Sequence, residues 1–451
     1  MFELESNIRE WSDNLRSGGN LNETDILELE SHLRDEIEDL IKAGLSEDEA
    51  FLISVKRLGS VNKLSLEYSK VNTEKLWKYL FSASIDPEIK KKNYKDILLV
   101  VIFSILSGTL AKIPELFGYH MFSPGSDLFY FKNLAFFILP FIVGFFAIKH
   151  KLSRKLVSSI MGIFLISAVI INFYPSFGPK NTEVLTGIHL PIFLWLITGI
   201  AYLGAKWRSS KGRMDFIRFT GESVIYGGLT LFGIIVFSGF TQILFSAIEI
   251  DLSKFIPQYF LVYGGCAAAM ITVFLVESKR SIVENFAPVL AKIFSPLFLL
   301  MMTAFLLSMI VLRKSPFMDR DFLIQFDLML VLVLGLVLYV ISARDKQSAP
   351  NIFDYLNLSL IIVALIIDVI ALSAILFRLS SFGITPNKVA ALGENIALLV
   401  NLGGLALLYL RYFAKKIEFS TLERWQTFYL YIYVVWLAVV AFVFPIIFNF
   451  K

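Results

Sequence analysis

From residue 96 to the end, apolar residues run in long stretches broken only by short polar loops. A helix crossing a bilayer needs about 20 such residues, and the pattern predicts spans at 96–114, 131–148, 155–174, 184–204, 221–246, 257–276, 288–312, 321–342, 355–377, 386–410 and 426–449. The first 82 residues follow a different rule. After Asn22, the residues Ile26, Leu29, Leu33, Ile37, Leu40 and Ile41 recur at three- and four-residue spacing and draw one apolar stripe on a helix. Gly44 supplies a stop, and Ser46 with Glu49 forms a capping box that opens a second helix, whose Ala50, Phe51 and Leu58 face a core. Ser60 caps a last helix through Leu64, Tyr68 and Leu76. The predicted fold class is all-α: a small soluble helical domain at 1–82, then a polytopic transmembrane bundle of about 11 spans at 95–449.

Composition strengthens this division. The 451 residues are 56% hydrophobic and 18% charged, far more apolar than a soluble domain. Residues 1–86 carry 18 acidic and 10 basic side chains, a net of −8 against +4 for the whole chain, so the membrane part is strongly basic. The opening MFELESNIREWSDNLR is charged where a secretory signal would be apolar, which predicts a cytoplasmic N-terminus. Alternate loops between the spans hold 17 Lys or Arg on one side and 9 on the other. By the positive-inside rule the chain is N-in and C-out, a multi-pass protein of the cell (inner) membrane. The basic loop LRKSPFMDRD is the exception to that pattern.

The acidic run Asp35, Glu36, Glu38 and Asp39 wraps around its helix and reads as a solvated face. Cys266 is lone apolar filler, and Trp77, Trp195, Trp207, Trp425 and Trp436 read as an aromatic belt at the membrane surfaces.

Two carboxyls break the ninth and tenth spans. In RLSSFGITPNK, Gly383 suits a turn, Thr385 a helix cap and Pro386 a first helical position, so the two spans form a hairpin. Asp368 lies about nine residues before this turn's predicted start and Glu394 about nine after the tenth span begins, which places both about 14 Å from the surface. Ala364 and Ala371 share a face with Asp368, and Ala390, Ala397 and Asn401 share one with Glu394, so both acids are expected to face protein. Two readings follow. Asp368 and Glu394, with Asn395 and Asn401, form a proton, ion or substrate site, because a deep carboxyl is costly unless it serves a purpose; or each acid makes a structural polar contact that locks the bundle. Glu222, beside Tyr226, Gly227 and Gly228 at the mouth of the fifth span, is a candidate gate contact. His189, Asp327 and Lys292 lie within about two turns of span ends and are expected to snorkel toward the interface. The shared YGG runs at 226–228 and 263–265 read as helix packing through glycine.

The stretch LESHLRDEIEDLIKAGLSEDEAFLISVKRLGSV resembles the small cytoplasmic modules called HAAS-type signalling or permease-prefix domains, which implies a regulatory or assembly role. The runs GITPNKV, GESVIYGGLTLFG and FAPVLAKIFSPLFLL resemble the bacterial membrane family catalogued as domain of unknown function 4153, with Lys388 where that family usually has Arg. That resemblance implies architecture and no particular chemistry.

No phosphate-binding loop, H-E-x-x-H or G-x-S-x-G motif occurs, so no catalytic residue, metal site or cofactor is assigned and the chain is not read as an enzyme. The acidic soluble module argues against nucleic acid as a partner. The expected partners are the lipid bilayer and a cytoplasmic protein for residues 1–82. The functional expectation is a permease-like transporter of a small solute or ion that uses mid-membrane carboxyls. The alternative is a membrane sensor, signalling or assembly protein with the N-terminal module as its output. Neither the solute nor the oligomeric state is written in the sequence.

Overall fold

Among the described residues of the computed structural model, eleven helices are long and apolar enough to cross a membrane, one for each predicted span. The structure describes residues 4–17, 23–42, 45–58, 87–122, 125–246, 250–278, 283–311, 317, 320–344 and 350–451, and among these there is no strand. The predicted stop at Gly44, the helix from Ser60 through Leu76, Trp77 and most of the loop LRKSPFMDRD lie outside the described residues, as do the side chains of Ile26, Leu58 and Lys292.

The chain divides into two units. The first holds α1 (Leu4–Ser17), α2 (Glu23–Lys42) and α3 (Glu47–Leu58). Its core is Ile8 and Trp11 of α1, Leu29, Leu33 and Ile37 of α2, and Ala50 of α3, with Leu40 and Phe51 packed against it. Ile41, expected on the buried stripe, is 37% exposed because it lies at the stripe's edge in the last turn. Arg34 clamps the module: its guanidinium donates to both carboxyl oxygens of Glu5 (2.7 and 2.9 Å) and to Glu30 (2.9 and 3.1 Å). Glu49 accepts from the Ser46 backbone N–H at 3.2 Å, as its capping role requires. Asp35, Glu38 and Asp39 are exposed, in keeping with a solvated face.

The second unit holds α4 (Pro87–Lys112), α5 (Asp127–Lys149), α6 (Arg154–Phe173), α7 (Asn181–Leu203), α8 (Ser210–Ser246), α9 (Leu261–Ser278), α10 (Val283–Val311), α11 (Arg320–Ala343), α12 (Ile352–Phe382), α13 (Pro386–Phe413) and α14 (Ser420–Ala438), the last continuing to Ile447 through a π-helical turn. One core joins α11, α12, α13 and the start of α14, and another joins α4 to α9. Cys266 is buried and free. Of the echoed glycines in α8 and α9, Gly227 lies against Thr272 and Gly264 against Ile234, while Gly228 and Gly265 have open space where a Cβ would sit.

The α12–α13 hairpin is pinned at both ends. At the turn, Gly383 takes φ +73°, which suits glycine, and Pro386 opens α13. Thr385 occupies the cap position without a side-chain bond. Lys388 caps the other helix of the hairpin: its ammonium donates to the carbonyls of Arg378 (3.2 Å), Phe382 (3.1 Å) and Gly383 (2.6 Å), satisfying the end of α12. At the opposite end, Asn351 and Asp354 form a capping box. Arg344 grips Asp354 with two bonds (2.7 and 2.9 Å), and the side chains are only 6% and 3% exposed.

Trp425 and Trp436 pack against a neighbouring helix. Each indole lies over a glycine of α13, Trp425 over Gly404 and Trp436 over Gly393, so close that a Cβ there would fall about 2 Å from the ring. The two notches have the same spacing on both helices, which sets the antiparallel register of α13 and α14.

Candidate functional site

Helix α7 brings His189 two turns below its start, where its ring is buried with its donors and acceptors engaged. Nδ1 lies 2.7 Å from the Leu185 carbonyl oxygen. A carbonyl only accepts, so Nδ1 carries a hydrogen. Nε2 lies 2.5 Å from Oε1 of Glu394 on α13. With Nδ1 already protonated, this contact needs one further proton, held either as imidazolium against carboxylate or as neutral imidazole against carboxylic acid. Without that proton two acceptors would face each other. Glu394, 31% exposed, keeps one side of the contact open. The snorkelling expected of His189 does not occur, because its neighbours supply polar partners inside the bundle.

Asn395, the next residue on α13, turns into the interior and is fully buried. Its amide donates to the Ala391 carbonyl and to Oδ1 of Asp327 on α11, each at 2.8 Å. Asp327 likewise points inward instead of snorkelling. It lies within electrostatic reach of both Glu394 and Asp368, and so links the two acids that the sequence singled out.

Asp368 on α12 is fully buried beside Ala364 and Ala371, and no protein group donates to either of its carboxyl oxygens. It does not share a depth with Glu394. Helix α12 runs on to Phe382, so Asp368 lies about 21 Å from the turn and Glu394 about 12 Å. In an antiparallel hairpin this sets Asp368 at the level of Asn401. The small residues allow close helix approach but not the direct carboxyl couple that was expected.

Asn401 belongs to a second cluster, away from Glu394. Its amide nitrogen donates to the Tyr433 hydroxyl at 2.8 Å and to Gln426 Oε1 at 3.3 Å, and its side-chain oxygen accepts from Trp425 Nε1 at 2.9 Å. Asp368 lies within electrostatic reach of the Tyr433 hydroxyl, which connects this cluster to the acids. The polar groups thus run from His189 through Glu394, Asn395 and Asp327 to Asp368, and on to Tyr433, Asn401 and Gln426.

Glu222 is elsewhere, about three turns after the start of helix α8 at Ser210. It is buried within electrostatic reach of Tyr202, Tyr226 and Tyr339, and the Tyr339 ring covers neighbouring Gly221. Among the described residues no group of three or more His, Cys, Asp or Glu is placed to hold a metal ion.

Fold and site together define a polytopic α-helical integral membrane protein with an interior chain of acids. No protein-family model, curated protein or solved structure matches the chain.

Proposed function

We propose that the protein is a proton-coupled, permease-like transporter of a small solute or ion, in which His189, Glu394, Asp327 and Asp368 take up and release the proton. The observation that carries this reading is the convergence of three carboxyls and a histidine from α7, α11, α12 and α13 inside a membrane bundle, where ionisable groups are expensive to keep. Asp368 adds a requirement. A carboxylate without hydrogen-bond donors is strongly disfavoured in an apolar interior, so loading and releasing a proton there demands a second arrangement that opens α12 to water. Alternation between two arrangements is what a coupled transporter needs. In this reading the chain is not an enzyme, and it belongs with the membrane family that its GITPNKV turn resembles, in a cell membrane with the N-terminus cytoplasmic.

Purified protein in vesicles loaded with a pH-sensitive dye tests the proposal. Proton flux driven by an imposed pH gradient should fall at least tenfold in the Asp368→Asn, Glu394→Gln double variant. Equal flux in the variant and the parent protein rules the role out.

A second reading, a membrane sensor or assembly protein, rests on the separate core of α1 to α3 and on the complete burial of Asp368. It requires a cytoplasmic partner for residues 1–82. Deleting those residues would then abolish partner capture while leaving vesicle flux at zero in both forms.

A further inference from the structure

A cavity of about 10 Å³ lies at the first turn of α7, lined by Lys132 of α5, Tyr174, Thr182, Glu183 and Thr186 among others. Its polar chemistry is unfinished. The Thr182 hydroxyl has no hydrogen-bond partner although the residue is 1% exposed, and Glu183 Oε1 is buried without one. The other oxygen of Glu183 stands 3.8 Å from the Lys132 ammonium, with side chains 13% and 15% exposed. A direct ammonium–carboxylate bond closes to about 2.8 Å, so this pair is held apart. Lys132 spends one N–H on the Ile171 carbonyl at 3.3 Å and has others to give. Thr186 is already engaged, donating to the carbonyls of Thr182 and Ala441, and Tyr174 donates to Phe442.

We infer that this cavity binds a single water molecule, which bridges Lys132 to Glu183 and Thr182 and so ties α5 to α7. Three arguments converge. The volume stands at the lower bound for a single water. A polar gap beyond about 3.5 Å is where a bridging water belongs. The ligand must also be neutral, because Lys132 and Glu183 already cancel: a cation would meet the ammonium and an anion the carboxylate. Water satisfies every free group, accepting from the Lys132 N–H and the Thr182 O–H and donating to Glu183 Oε1. The site does not depend on the transport reading, since its occupant is required by packing whether or not protons move.

The test is a crystal structure of the full chain in a lipid phase, at a resolution that shows ordered water, for the parent protein, Thr182→Val and Thr182→Ser. A peak within hydrogen-bonding distance of Lys132 Nζ, Thr182 Oγ1 and Glu183 Oε1 is expected in the parent and the Ser variant. The isosteric Val variant should lose the peak and melt a few degrees lower. A dry cavity in the parent, with Lys132 and Glu183 in direct contact, overturns the inference. Melting in sodium chloride against choline chloride decides the rest without any variant: equal midpoints fit water, and a sodium-specific rise replaces water with a cation.

Discussion

His189 Nε2 on α7 meets Oε1 of Glu394 on α13 at 2.5 Å, although 205 residues separate them in the chain. Nδ1 is committed to the Leu185 carbonyl, so only a donor on the Glu394 side, or a second ring hydrogen, can hold the pair together.

This arrangement ranks two substitutions. Glu394→Gln keeps an N–H donor toward Nε2 and should change unfolding free energy by no more than about 0.5 kcal/mol. Glu394→Ala leaves a buried ring nitrogen without a partner and should cost about 1–3 kcal/mol. Thermal unfolding in detergent measures both. If Ala proves as stable as Gln, the ring nitrogen is satisfied from elsewhere.

The indole notches predict a steric effect on the neighbouring turns. A Cβ at Gly404 would lie 2.2 Å from the Trp425 ring, so Gly404→Ala must displace the indole or part α13 from α14. Overpacking of this kind costs about 1–3 kcal/mol. The double variant Gly404→Ala, Trp425→Phe should recover part of the loss, because the smaller ring makes room. Failure to recover would show that the notch is not the source of the strain.

These contacts also mark how far the sequence could be read. The eleven spans, the Gly383 turn and the burial of Asp368 were legible, because bilayer thickness and turn chemistry act locally. The partners of the acids were not. Lipid-facing and protein-facing sides of these helices are equally apolar, so periodicity does not say which way His189 or Asp327 turns. Proximity to a span end suggested snorkelling for both, and what decided otherwise was Asn395 and Glu394 on α13, far away in the chain. Depth escapes the sequence for a simpler reason. The apolar run of the ninth span stops at residue 377, while α12 continues through the polar residues Arg378, Ser380 and Ser381 to Phe382.

Arg344 and Asp354 form a pair buried well enough for its rupture to be severe. Arg344→Met leaves Asp354 3% exposed and without its guanidinium, which should cost about 3–5 kcal/mol. Arg344→Met with Asp354→Leu should cost less than the single change, since no charge is left stranded. The comparison is a double-mutant cycle on melting midpoints, and additive losses would deny the coupling.

The N-terminal module of α1 to α3 should loosen in acid. The Arg34 hydrogen bond holds the Glu5 carboxyl below its ordinary value of 4.5, and Lys42 does the same for Glu38. A depressed carboxyl contributes stability that is complete above its ordinary value and is lost as pH falls through the lower folded value. Protection should therefore be level from pH 7 to about 5 and decline below about 4.5. Both acids are exposed and their pairs screened, so the decline should be small. Hydrogen exchange of the full chain, corrected for intrinsic rates, reads it directly in α1 and α2. Equal protection at pH 3 and pH 6 would mean that the clamp does not support the module.

Asp368 offers the sharpest separation between a working and a structural role. Its two oxygens receive no hydrogen bond in a packed apolar setting, so as a structural element it is a liability. Replacing an unsatisfied buried group by an apolar one of similar size removes that penalty, and Asp368→Val should stabilise the bundle by about 1–3 kcal/mol. A residue that a fold would be better without is retained for something other than the fold. In the proposed transporter the same substitution should abolish proton flux in vesicles, so that stability rises as activity disappears. A variant that melts lower than the parent would instead mean that the carboxyl has donors in the membrane which hold the bundle together, and the acid chain would then be a lock.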